Sequence, residues 1–218
     1  MKRFLKNSIL PLFLLVLLLV PSKVQAADNS CSCGKTCSCN KAACDLKMAE
    51  RKLWIDHVLW TRNFIISDIA SLEDKGPVLE RLLKNQDDIG NSIKPYYGED
   101  AAKNLASLLR EHIEIAGKVV DAAKSGNKEE LDNYNKLWYA NADAIADFLS
   151  SANPKYSNKT LKDMLHKHLQ LTTDEAVARL KKDWKADIAS YDKGEDHMVK
   201  FADILAEGII KQFPEKFK

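Results

Sequence analysis

Cys31, Cys33, Cys37, Cys39 and Cys44 form the pattern C-x-C-x3-C-x-C-x4-C, and the 174 residues after them hold no cysteine. Disulfides that staple a fold tie distant segments together, so their cysteines are spread along a chain. These five lie within 14 consecutive positions. Thiolates two residues apart can turn toward one ion, and soft thiolate ligands select Cu(I) and Zn(II) over harder cations. The same pairs make poor disulfides, because an extended chain holds their Cα atoms near or beyond the bridging limit of about 7 Å. No C-x-x-C is present, which removes the thioredoxin-like and c-type haem signatures. The competing chemistry is oxidation. Outside the cell thiols tend to pair, Cys33–Cys37 or Cys31–Cys39 would close small loops, and the odd thiol would remain for a bond to another chain. The stretch is therefore either a soft-metal ligand set or a cross-linking tail.

A second set of residues interrupts apolar helical stripes. His57 lines up with Leu53, Trp60 and Phe64, and His112 with Leu105, Leu109, Ala116 and Val119. Asn141 lines up with Tyr134, Trp138, Ile145 and Phe148, and Asp187 with Leu180, Trp184 and Tyr191. Each is polar and falls near the middle of an expected helix. His57, His112, Asn141 and Asp187 are thus expected to meet at one level of a bundle core. There they would either hold a divalent ion, giving a metal-dependent enzyme, or form a buried hydrogen-bond network in which Asp187 orients a histidine. The Glu-x-x-His signature of di-iron bundles is missing, and adjacent Glu111 and His112 diverge by about 100° on a helix. The network is therefore the favoured expectation. His168, beside Met164 and Leu165, reads as a core histidine, as does His197 beside Phe201 and Ile204. His166 points away. There is no G-x-S-x-G, Gly-rich phosphate loop or H-E-x-x-H, so no catalytic residue is assigned.

The elements that must position these residues are helices. From Leu46 onward Gly and Pro are sparse and fall between periodic segments. The spacing predicts helices over about 46–72, 77–94, 99–124 and 128–152, a short one over 159–171, another over 172–192 and a last over 195–213. Asp74-Lys-Gly-Pro77, Pro95-Tyr-Tyr-Gly98, Ser125-Gly126 and Asn153-Pro154 separate the first five. Thr172-x-x-Glu175 reads as a capping box, and Gly194 as a break. No segment alternates as a strand does. The expected fold is all-α, an up-and-down bundle of four long helices with shorter additions.

Residues 1–26 read as a secretory signal: a basic start, an apolar run from Ile9 to Val20, and small residues at Val24 and Ala26. The run is short for a bilayer span of about 20 residues, though an uncleaved N-terminal anchor is the alternative. The signal holds four basic residues (Lys2, Arg3, Lys6, Lys23) and no acidic one. The mature chain is left with 29 basic against 31 acidic residues, a net charge of −2. No basic field remains to attract nucleic acid, and no later segment is apolar enough to span a membrane. The organisation is a signal at 1–26, a Cys-rich flexible tail at 27–45 and a helical domain at 46–214.

Two resemblances add to this. The Cys-Ser-Cys stretch is locally similar to metallothionein-type clusters. Trp54-Ile-Asp-His-Val-Leu-Trp-Thr-Arg62, Ile93-Lys-Pro-Tyr-Tyr-Gly98, Trp138-Tyr-Ala-Asn-Ala-Asp143, His168-Leu-Gln-Leu-Thr172 and Gly208-Ile-Ile-Lys-Gln-Phe-Pro214 together resemble an uncharacterised family of bacterial helical proteins, over about residues 50–214. Its members sometimes carry the labels acetylglutamate kinase or glycosyltransferase. Those labels imply phosphate or nucleotide-sugar loops that this sequence lacks. The resemblance implies a helical fold and no activity. The expected function is a secreted or envelope-associated protein whose tail binds Cu(I) or Zn(II). The alternative partner is another envelope protein, linked by disulfides.

Overall fold

The computed structural model describes residues 40–218. Residues 1–26, read above as a signal, and Cys31, Cys33, Cys37 and Cys39 lie outside the described residues. Six long helices follow: α1 (Lys41–Ile69), α2 (Lys75–Ser92), α3 (Lys94–Ser125), α4 (Lys128–Ala152), α5 (Asn158–Leu180) and α6 (Trp184–Gln212). A single 3-10 turn (Pro214–Phe217) ends the chain, and there is no strand among the described residues. The all-α expectation holds. No helix of the described residues is long and apolar enough to cross a membrane.

The helices form a closed ring. Each packs on its two sequence neighbours, α6 returns to α1, and α1 also reaches across to α3 and α5. Short connections make successive helices antiparallel, so α1, α3 and α5 run one way and α2, α4 and α6 the other. One long apolar cluster fills the interior, with Trp54, Leu105, Leu109, Ile145, Leu161, Leu169 and Phe201 almost wholly buried. Gly90 lets α2 lie directly on α3: a Cβ there would stand 2.7 Å from the Ala102 carbonyl oxygen and the Ala106 Cβ.

Four boundaries differ from the sequence reading. α1 starts at Lys41, because the Asn40 side chain accepts the Ala42 N–H at 2.9 Å and caps the helix. Cys44 is therefore half-buried on a helix rather than in a flexible tail. The Thr172–Glu175 capping box is not used. Thr172 Oγ1 instead donates to the His168 carbonyl one turn back, and α5 runs through to Leu180. The break falls at Lys182, whose φ of 60 reverses the chain, and Asp183 caps α6 by accepting the Ala186 N–H at 3.1 Å. Gly194 is carried inside α6 with nothing near its Cβ position. The expected short fifth helix and its two successors are in fact two long helices. The Pro95–Gly98 turn is a kink inside α3, with Gly98 at φ 86.

Candidate functional site

Three histidines meet at the centre of the ring, one from each of the parallel helices α1, α3 and α5. His57, His112 and His168 are 2%, 3% and 4% exposed. His57 Nε2 lies 3.4 Å from His168 Nε2. The His112 and His168 rings stack with centroids 6.3 Å apart. The antiparallel helices supply the supports: Gln86 from α2, Trp138 and Asn141 from α4.

The supports fix each proton. Trp138 has only a donor, which it gives to His112 Nε2 at 3.0 Å. His112 Nδ1 is therefore the protonated nitrogen, and it donates to Asn141 Oδ1 at 2.8 Å. The Asn141 amide is held in turn by donating to the Leu108 carbonyl and to Glu111 Oε2. The Gln86 amide nitrogen donates to the Leu82 carbonyl at 2.8 Å, so its oxygen faces His57 Nδ1 at 3.3 Å. That makes His57 Nδ1 a donor and His57 Nε2 an acceptor, which takes the His168 Nε2 proton. His168 Nδ1 is left as a buried acceptor with no donor. His112, with both nitrogens committed, has no lone pair to offer a metal or substrate. No group of three or more His, Cys, Asp or Glu is arranged to hold a metal ion among the described residues.

Burial also keeps the histidines neutral. Desolvation, then the neighbouring His112, lowers His57 to about 3, with Gln86 opposing. Desolvation lowers His112 to about 4, and Asn141 opposes it. His168 is lowered well below 6.5 by desolvation and by His57 and His112. An unfolded histidine takes its proton near 6.5, so the unfolded chain binds more protons below that pH. The histidines' contribution to stability is complete above pH 6.5 and falls as pH drops toward the folded values. Two buried carboxyls act oppositely. Burial raises Glu50, and burial outweighs Arg62 in lifting Glu175 to about 7. These contribute stability below their unfolded value of 4.5 and lose it as pH rises through the folded one. Glu175→Gln should therefore steepen the acid loss between pH 7 and 4.5 by on the order of 1 kcal/mol per pH unit. Urea midpoints of parent and variant across that range measure it, and parallel curves would refute it.

Asp187 corrects the sequence reading. It is buried, but its carboxylate answers two arginines rather than a histidine. Arg62 Nη1 donates to Oδ1 at 2.8 Å, while Arg62 Nη2 and Arg179 Nη1 reach Oδ2 at 3.3 and 3.1 Å. Arg62 also donates to Glu175 Oε1 at 2.7 Å. The physical reason is the shifted boundary: α6 begins at Trp184, so Asp187 lies in its first turn and not at mid-helix. Of the four residues expected to share a level, His112 and Asn141 bond directly, His57 joins through His168, and Asp187 belongs to the ion cluster. The sequence reading put His168 in the core but not in this cluster, and it did not single out Gln86. Both occupy buried stripes, Gln86 between Leu82 and Ile89 and His168 beside Leu165 and Leu169.

A cavity of about 100 Å³ adjoins the histidine layer. Its walls hold residues one turn beyond each histidine on the odd helices (Thr61, Ala116, Thr172) and one turn before Gln86 on α2 (Leu82). Trp138 separates it from His112. A void of this size costs about 2 kcal/mol when empty, on a slope of about 24 cal/mol per Å³.

The described residues thus form a six-helix all-α bundle with a buried, neutral histidine network. No family model, no curated protein and no solved structure matches the chain.

Proposed function

We propose that this chain is a secreted or envelope-associated binding protein in which the bundle is the scaffold and the cysteine stretch takes up Cu(I) or Zn(II). The observation that carries this reading is the placement of all five cysteines within 14 positions behind a signal-like segment. The histidine layer favours a scaffold role for the bundle: five of its six ring nitrogens are spent on one another and on fixed amide and indole partners, and only His168 Nδ1 is left open. A metal-dependent enzyme built on His57, His112 and Asp187 is not supported, since Asp187 is held by Arg62 and Arg179.

The test is native mass spectrometry of reduced protein from its own host, beside a variant with all five cysteines changed to serine. The parent should retain at least one Cu(I) or Zn(II) equivalent and the variant none. Equal metal content in both would overturn the proposal. The odd cysteine count favours a second reading, an envelope module joined to a partner by a disulfide. Linked species on non-reducing gels would support that reading, and monomer with five free thiols would exclude it.

A further inference from the structure

The cavity beside the histidine layer is dry in character. Most of its wall is aliphatic or aromatic, including Phe64, Ile65, Leu82, Ile113, Val119 and Val120. Two hydroxyls in the wall have already spent their protons: Thr61 Oγ1 donates to the His57 carbonyl at 2.7 Å, and Thr172 Oγ1 to the His168 carbonyl at 3.0 Å. The inner wall leaves a water only the lone pairs of Thr61 and Thr172, the other polar side chains, Asn135 and Thr173, lying toward the opening; a dry apolar cavity of about 150 Å³, larger than this one, takes benzene. The space also has an approach from outside. Asn135 and Thr173, both only partly buried, and the exposed Val177 continue the wall outward between α4 and α5. The wall carries no Asp, Glu, Lys, Arg or His to meet a charged ligand.

We infer that this cavity is a binding site for a small uncharged apolar molecule, of the size of a single aromatic ring, entering between α4 and α5. The site is independent of the cysteine stretch. The ligand gains by leaving water, and the folded state gains by losing a void. Binding to the folded state alone raises the melting temperature by mass action.

The test uses protein from its native host with benzene as the probe and benzoate at equal concentration as the charged control. Benzene at several times its dissociation constant should raise the melting temperature by roughly 3 °C. It should also shift the methyl NMR signals of Ile65, Ile113, Val119 and Val120, and benzoate should do neither. Ala176→Leu places a larger side chain into the cavity wall and should abolish the benzene response. If that variant fails to fold, Ala123→Leu serves the same purpose, and the methyl shifts of the parent decide the matter alone. Absence of benzene-dependent methyl shifts in the parent would overturn the inference. So would an equal response to benzoate, or an undiminished response in a folded cavity-filled variant.

Discussion

Replacing His112 with alanine is expected to destabilise the protein by about 3–5 kcal/mol. The change removes a ring that is 3% exposed and leaves two buried partners bare: the Trp138 indole N–H and Asn141 Oδ1. An orphaned buried donor or acceptor costs about 1–3 kcal/mol, and the lost volume adds a cavity term. Trp138→Phe removes the donor to Nε2 together with part of a buried ring, and should cost about 2–4 kcal/mol. The double variant should cost less than the sum of the two, because the orphaned indole N–H is counted in one single variant and absent in the pair. His166→Ala is the surface control. That histidine meets Asp143 at 2.8 Å with both side chains about 40% exposed, and its loss should stay within about 1 kcal/mol. Urea melts of the four variants decide it. A cost for His112→Ala no larger than that of the control would mean the network is not coupled to folding.

The histidine layer was legible in the sequence where the helix boundaries were. The stops at Ser125-Gly126 and Asn153-Pro154 place α3 and α4 correctly, so the phases of His112 and Asn141 put them at one level, and they bond. Gly126 adopts φ 73 at the end of α3, the left-handed cap that glycine favours. The second half of the chain misled for local reasons. Thr172-x-x-Glu175 has the composition of a helix start, but a threonine inside a helix can bond its own i−4 carbonyl, as this one does. Gly194 reads as a break, yet on the outer face of a packed helix it costs only about 1 kcal/mol, which tertiary packing covers. The true stop at Lys182 has no glycine or proline to announce it. Moving the start of the last long helix back to Trp184 carried Asp187 from mid-helix to a helix end. A stripe gives the face and depth of a residue; which helix stands opposite follows from ring order, and that is not written in a single stripe. For the same reason the pairing of His57 with Gln86 and His168 was not readable from one segment.

Asp187→Ala is expected to cost about 3–5 kcal/mol, by a mechanism unlike that at His112. The carboxylate is 1% exposed and joins three helices: it lies on α6 and accepts from Arg62 of α1 and Arg179 of α5. Both guanidiniums also lie over aromatic faces, Arg62 on Tyr191 and Arg179 on Trp184, each 4.9 Å from the ring centroid. Removing the anion leaves these cations stacked and partly covered, with Glu175 still meeting Arg62. The arginine side chains are 16% and 21% exposed, so water reaches them in part and the cost should fall toward the lower end of the range. Asp187→Asn keeps the shape and loses the charge, and should cost less than the alanine change, since an amide oxygen still accepts from one arginine. Lys185→Ala, on the exposed side of the same turn, should stay within about 0.5 kcal/mol. Salt gives the discriminating reading: a surface pair is screened at 1 M salt, where the Debye length is about 3 Å, and a buried one is screened much less. The gap between Asp187→Ala and parent should therefore persist in 1 M salt. If it closes there, or if Asp187→Ala melts like Lys185→Ala, the cluster is a surface pairing and does not fasten α6 to the ring.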